Sequence, residues 1–364
     1  MLTQANLMVH HPRSQNEPRE TKPKSQQVNE SKMNNLPPLM KAIVPDGTGS
    51  SDVLKIKETE LPIPGANEVL IKVAAAGVNR PDVLQRMGRY PPPPGASDIL
   101  GLEVSGDVVA IGGDVGTVAV GDQVCALLAS GGYAEYCVAP ALQCLPVPKG
   151  ISLIEAAALP ENFFTVWSNL TDRAHLKKGE TLLIHGGSSG IGLTALQLAK
   201  ALGVTPYVTV GNDEKAAFCE KLGAKTAINY REESFDDVIA EETSGRGVDV
   251  ILDMIGGDYT QRNISSLADD GRLVQISYLN GSRIEAEFRE LMTRRLTWTG
   301  STLRSRSVEY KHAIATALHK TVWPMIEDGR IKPVIDSTFA LEDVALAHDK
   351  METSAHIGKI LLTT

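Results

Sequence analysis

Cysteine is scarce in this 364-residue chain: Cys125, Cys137, Cys144 and Cys219 are its whole complement, and no two form a Cys-x-x-Cys pair. That excludes a disulfide framework and predicts reduced thiols in a cytoplasmic setting. No His/Cys set has metal-ligand spacing, so no metal is expected. Long apolar runs are missing too: none approaches the roughly 20 residues a membrane helix needs. Nor is there an excess of positive charge. Lys and Arg number 36 against 44 Asp and Glu, a formal net charge of −8. This speaks against a general electrostatic grip on nucleic acid or on an anionic membrane. Basic and aromatic residues are not interleaved as in RNA-binding surfaces, and no nucleic-acid partner is expected.

Apolar residues are also sparse through most of the first 38 positions. Between His10 and Asn35 only Val28 and Met33 are clearly apolar. Such a stretch buries too little surface to offset its ordering entropy, so residues 1 to 38 are expected to be a disordered tail. It has no apolar core of a signal peptide, and Glu17, Glu20 and Glu30 oppose a mitochondrial transit reading. The globular pattern begins at Met40, and Met33 or Met40 is a candidate start.

Against these absences stands one dense stretch, Thr181 to Gly203. Thr181-Leu182-Leu183-Ile184-His185 is a short apolar run, as a buried parallel strand reads. Gly186-Gly187-Ser188-Ser189-Gly190-Ile191-Gly192 follows with little side-chain bulk. Ile191, Ala195, Leu196, Ala199 and Leu202 then recur at helical spacing, and Gly203 is placed to cap the helix. A glycine-rich turn of this kind gathers free N–H groups and a positive helix terminus around one point, which suits a pyrophosphate. Its spacing, Gly187-x-x-Gly190-x-Gly192, is not the usual Gly-x-Gly-x-x-Gly, and alone it is weak evidence.

The context strengthens it. Further strands are expected at Pro206 to Gly211, Thr226 to Tyr230, Val248 to Asp253, Arg272 to Ser277 and Leu296 to Ser301, with helical segments between them. Six strands alternating with helices predict a doubly wound parallel sheet, with ligand at the carboxyl ends of its strands. Before this unit, Met40 to about Pro160 reads as short strands separated by Gly/Pro turns, for example Glu68 to Ala74, Val104 to Ile111 and Gln123 to Leu128. A helix at Tyr310 to Ile326, strands at Pro333 to Phe339 and Gly358 to Leu362, and a helix at Glu342 to Met351 are too small to fold alone. They are expected to return and complete the β-rich module. Inside that module, Tyr90-Pro91-Pro92-Pro93-Pro94 fixes the backbone beside a phenol, a good way to hold it at the mouth of a cleft.

Several stretches together resemble a known family: Asn79-Arg80-Pro81-Asp82 through Tyr90 to Ser97, His185 to Gly192, Leu303-Arg304-Ser305-Arg306, and Ile357-Gly358-Lys359. From about Met40 onward the chain resembles the zinc-independent medium-chain dehydrogenases/reductases, and among them the NAD(P)H-quinone oxidoreductases of the p53-inducible kind. The resemblance implies an α/β fold: a GroES-like β-rich catalytic domain, 39–162 plus 305–364, and a Rossmann domain with a six-stranded parallel sheet, 163–304. Zinc-dependent relatives carry Cys where this chain has Val78-Asn79 and His where it has Leu102, so a zinc-free enzyme is implied.

The same resemblance implies a site. Ser188, Ser189, Gly190 and Ile191 would approach the pyrophosphate of a bound NADPH. Thr165, Gly256, Ser277 and Leu279 would flank its nicotinamide end, and Leu303, Arg304, Arg306, Gly358 and Lys359 would close over it. Gly211 lies at the end of the second strand, where the acidic residue of NAD enzymes is replaced by Val210. Lys215 and Tyr230 match positions that meet the 2′-phosphate, for which a cation and a phenol are suitable donors. Asp213 and Glu214 are read as complements of the helix dipole. The implied reaction is hydride transfer to a quinone or related electrophilic acceptor, with Tyr90, Asn79 or water meeting the developing anion. His185 is expected to be a packed histidine. Reduction of an enone, enal or enoyl thioester, and a non-catalytic NADPH-binding role, stay open. A homodimer pairing through Leu296 to Ser301 is also implied.

Overall fold

The computed structural model describes residues 35–364; the expected tail lies outside them except for its last four positions. Among the described residues fifteen strands run in chain order: β1 Leu39–Pro45, β2 Leu54–Glu60, β3 Glu68–Val78, β4 Glu103–Ile111, β5 Gln123–Leu127, β6 Tyr136–Pro140, β7 Cys144–Pro146, β8 Thr181–His185, β9 Thr205–Val210, β10 Thr226–Asn229, β11 Val248–Asp253, β12 Leu267–Gln275, β13 Thr297–Gly300, β14 Ile335–Ala340 and β15 Lys359–Thr363.

Six of them, in the order β10-β9-β8-β11-β12-β13, form one sheet in which every pairing is parallel. The order reverses beside β8, so the glycine turn after β8 sits at the switch point of the sheet. Both faces are covered. Leu182 and Ile184 of β8 enter one core with Leu193 and Leu196 of the following helix, and Leu183 enters another with Phe235, Ile239 and Ile264. This is why β8 reads as an unbroken apolar run rather than an alternating one.

The second sheet has the order β14-β15-β3-β4-β5-β7, with β6 also paired to β3. Its C-terminal strands close on β3: Ile360 faces Val78 and Leu362 faces Ala76. The last thirty residues therefore complete a module begun nearly three hundred residues earlier. A single core joins Cys125 and Leu127 of β5 to Phe163, Trp323 and Leu182, binding the two sheets together.

Three local departures have physical causes. The stretch before the proline loop contains a helix, Arg80–Arg86, hidden in sequence by its Gly and Pro flanks. Pro81 is tolerated because the first turn needs no intrahelical N–H bond, and the Asp82 carboxylate accepts the Asn79 N–H at 2.8 Å. The helix expected at Tyr310 to Ile326 is two helices, Val308–Thr321 and Trp323–Glu327, broken ahead of Pro324. β12 starts at Leu267, earlier than expected, because Leu267 already pairs with Val248.

Candidate functional site

Two neighbouring clefts lie at the carboxyl ends of the parallel strands. The first, about 750 Å³, takes its walls from Gly186 after β8, Gly211 after β9 and Met254 after β11. The second, about 520 Å³, is walled by Gln275 and Ile276 at the end of β12 and by Gly300 and Ser301 at the end of β13. Chain neighbours divide between them: Arg80, Asn162 and Leu279 line the first, and Pro81, Glu161 and Tyr278 line the second.

The floor of the first cleft is the glycine turn. Ser189 caps the helix Gly190–Ala201, its Oγ accepting the Gly192 N–H at 3.0 Å. The N–H groups of Gly190 and Ile191 belong to the helix turn that has no intrahelical acceptors, and both residues line the cleft. The glycines are dictated by space. A Cβ on Gly187 would lie 2.4 Å from Val208 Cβ, and one on Gly192 would lie 2.3 Å from the Gly186 carbonyl oxygen. Gly358 pins the C-terminal strand over the turn, its N–H donating to the Ser188 carbonyl at 2.9 Å. Its φ of +94° and a Cβ position 2.3 Å from Val334 O leave no room for a side chain.

Charge in this cleft is one-sided. Arg80, Lys215, Arg231 and Lys359 line it, and among the described residues no Asp or Glu does. Lys215 stands in the first turn of the helix Asp213–Leu222, and its Nζ donates to the Ser354 carbonyl at 2.6 Å. Tyr230 is half-exposed, with its OH 2.9 Å from the Cβ position of Gly211. Val210 is buried at the strand end, while Asp213 accepts from the Asn229 amide at 2.9 Å and stays out of the cleft. The buried His356 also lines this cleft with an unpartnered Nδ1, and burial followed by the Lys215 charge pushes its pKa down to about 4. Cations, a free phenol, open N–H groups and an orphan ring nitrogen fit a dinucleotide that carries a third phosphate.

Between the clefts lies a buried polar node. Glu103 Oε1 accepts from Asn79 Nδ2 at 2.9 Å and from Lys359 Nζ, and Glu103 Oε2 accepts the Glu161 N–H at 2.8 Å. Gly77 makes room for it, because a Cβ there would sit 2.1 Å from Glu103 Oε1. Lys359 Nζ also donates to Asn79 Oδ1 at 2.7 Å. Beneath this node, Asp82 accepts from the Tyr133 hydroxyl at 3.0 Å, and burial pushes its carboxyl up to about 6. Among the described residues no group of three or more His, Cys, Asp or Glu is placed to hold a metal ion. An ammonium lodged between Asn79 and Glu103 is a poor neighbour for a divalent cation.

The expected site residues are thus distributed. Asn79, Ser188, Ser189, Gly190, Ile191, Gly211, Lys215, Tyr230, Leu279, Gly358 and Lys359 meet in the first cleft. Tyr90, Thr165, Ser277, Leu303 and Arg304 meet in the second. Gly256 and Arg306 line neither: Gly256 donates its N–H to Asp253, and the Arg306 guanidinium lies 5.2 Å over the Tyr310 ring.

Arg304 lines the second cleft and donates to the Ala129 carbonyl at 2.6 Å, the Tyr90 carbonyl at 3.2 Å and Gln85. It straps down the proline loop and holds Tyr90, whose ring lies 5.2 Å away. Asn79 was expected to meet an anion, yet its amide donates to Glu103 and to the Gly77 carbonyl at 3.3 Å, so no strong donor is left over. His185 is packed, as expected, between Thr209 and Asn263 at 3.0 and 2.7 Å, and burial lowers its pKa.

Sequence reasoning missed Arg80, Arg231 and His356 in the first cleft and Glu161 in the second. Arg80 sat within a noticed motif. The others carry no local signal, because elements far apart in the chain bring them together.

Comparison with known proteins gives the following. The family described as "Alcohol dehydrogenase GroES-like domain" matches residues 65–149, and that described as "Zinc-binding dehydrogenase" matches 190–319. The quinone oxidoreductase of Homo sapiens is 34% identical over 329 residues, covering 89% of this chain and 98% of its own. Among solved structures, the Escherichia coli quinone oxidoreductase complexed with NADPH is 30% identical with a TM-score of 0.80, over 90% of this chain and 99% of that one. The CurK enoyl reductase is 27% identical with a TM-score of 0.79, over 89% and 99%.

Proposed function

From the premise that this chain belongs to the medium-chain dehydrogenase/reductase family, we propose that it is an NADPH-dependent oxidoreductase whose acceptor is a quinone. Its fold is the GroES-like module joined to the Rossmann-like sheet of six parallel strands. We divide the chain into a catalytic domain, 39–162 with 305–364, and a cofactor domain, 163–304.

NADPH is the cofactor, and when bound it supplies a hydride. Lys215 and Tyr230 would hold the 2′-phosphate, the N–H groups of Gly190 and Ile191 would hold the pyrophosphate, and Thr165, Ser277 and Leu303 would flank the nicotinamide end at the second cleft. That cleft accepts a planar, electron-poor ring. Its walls include Pro81, Leu84, Leu102, Leu127 and Leu128, with Tyr90 at its rim. Burial raises the Tyr90 pKa, so its phenol stays protonated and able to donate. Apolar walls exclude water from the path of a hydride and leave alignment as the main work of the protein.

The observation that carries this reading is the pairing of an acid-free cationic cleft with an apolar one at the same sheet edge. The test offers 1,2- and 1,4-quinones beside 2-alkenals and follows NADPH oxidation, with NADH in parallel. Saturable quinone turnover preferring NADPH is expected. Turnover of alkenals alone would assign an alkene reductase, and tight NADPH binding with no turnover would overturn the enzyme reading.

We also read β13 as the contact for a second copy. Among the described residues it pairs only with β12, and Met292 and Phe288 beside it are exposed, with Phe288 stacked on Trp298 at 5.9 Å. Sedimentation equilibrium is expected to return twice the chain mass; a monomer would overturn this.

A further inference from the structure

One ionisable side chain in the acceptor cleft has no role so far. Glu161 stands in the first turn of the helix Pro160–Trp167 and lines the second cleft together with Tyr90 and Thr165. Its backbone N–H is fixed on Glu103, and its Oε1 lies 3.4 Å from the Thr165 hydroxyl one turn on. Its Oε2 has no hydrogen-bond partner among the described residues, and Glu161 makes no ion pair there.

The cations nearby are already committed. Lys359 is paired with Glu103, Arg304 is spent on the proline loop, and Lys311 donates to the Arg304 carbonyl at 2.9 Å. The other charged or ionisable neighbours are Glu103, Asp82 and Tyr90. Burial, and next the negative charge of Glu103, push the Glu161 carboxyl up to about 7, against the weaker pull of Lys359. A carboxyl held neutral in an apolar cleft is how a site keeps an acid ready near neutral pH.

We propose that Glu161 is the proton donor of this reaction, delivering the proton on its carboxyl to the acceptor as the hydride arrives. The assignment rests on the reading of the chain as a hydride-transferring reductase. The balance is complete: the acceptor takes two electrons and one hydrogen as hydride from the reduced nicotinamide. The O–H bond of Glu161 breaks, and an O–H bond forms on the quinone oxygen, giving the neutral hydroquinone. The carboxylate left behind regains its proton from water, helped by repulsion from Glu103 and Asp82. An acid in this place serves an enone equally, where the proton goes to carbon.

The donor must be protonated, so kcat is expected to hold at acid pH and to fall as pH rises through about 7. Glu161→Gln is expected to lower kcat by about 10²-fold, flatten that profile, and leave KM and NADPH affinity near wild type. Glu161→Asp keeps an acid and is expected to retain part of the rate and the sloping profile. A purely structural role would lower thermal stability in both variants without changing the shape of the profile. Independently of turnover, ¹³C-carboxyl NMR of the glutamate-labelled protein is expected to show one resonance, lost in Glu161→Gln, that titrates near pH 7. Titration of that resonance near the ordinary glutamate value, about 4.3, would overturn the proposal. So would an unchanged rate and profile in Glu161→Gln, with quinone reduction itself intact. A wild-type protein that reduces no acceptor would overturn both this proposal and the functional reading beneath it.

Discussion

Replacing Lys215 and Tyr230 together by alanine is expected to weaken NADPH binding by roughly 10²-fold and to leave NADH binding nearly unchanged. The size follows from one hydrogen bond to a doubly charged phosphate, worth about 1.5–3 kcal/mol, plus a weaker contribution from the phenol. Each 1.4 kcal/mol is about tenfold in affinity. The direction follows from placement. Lys215 is fixed in the first helical turn by the Asn212 cap, which accepts its N–H at 2.9 Å. Its Nζ now rests on the Ser354 carbonyl, a weaker acceptor than a phosphate, and desolvation has already lowered its pKa. A phosphate dianion restores the preference for the charged ammonium. NADH presents only hydroxyls at this point, and the buried Val210 offers them nothing. Calorimetric titration of both nucleotides decides the matter. Equal weakening of NADPH and NADH would move the 2′-phosphate elsewhere in the cleft, with Arg80 and Arg231 the next cations to test.

What the sequence made legible here was periodic. Buried parallel strands, a glycine turn and helical spacing are local patterns, so the six-stranded sheet and its ligand edge followed from reading along the chain. The acid-free wall around Lys215 was partly legible, because the missing strand-end acid is a single position. Glu161 was not. An acidic residue right after Pro160 at a helix start looks like an ordinary complement to the dipole. Only the fold shows that this helix starts against Glu103 and opens on an apolar cleft. The strapping by Arg304 was hidden in the same way: its position along the chain was noticed, but its partners Ala129 and Gln85 lie far upstream. The pairing of Gly77 with Glu103 is likewise visible only in three dimensions, where one residue is small so that the other can be charged.

The node around Glu103 carries the largest expected stability effect. Lys359 and Glu103 are almost completely enclosed, their side chains 5% and 0% exposed. Lys359→Met keeps most of the stem that packs against Gly190 but strips Glu103 of its counter-charge. Two hydrogen bonds from the Asn79 amide and the Glu161 N–H then remain to support a buried carboxylate. Breaking a buried pair from one side costs about 3–5 kcal/mol, far above the typical value for an exposed pair. In a thermal melt this corresponds to a fall on the order of 10 °C. Glu103→Gln alone is expected to be similarly costly, because Lys359 becomes the stranded charge. The double variant should recover much of the loss, since neither member of the pair is left facing an absent partner. Additive losses in the double variant would mean that each residue acts through separate contacts and that the pair is not the unit of stability. Glu103→Gln has a second expected consequence. Removing the like charge beside Glu161 and freeing the attraction of Lys359 should lower the Glu161 pKa, so the descending limb of the activity profile moves to lower pH. A stability node and a proton donor would then be coupled through one carboxylate, whose two oxygens face opposite partners.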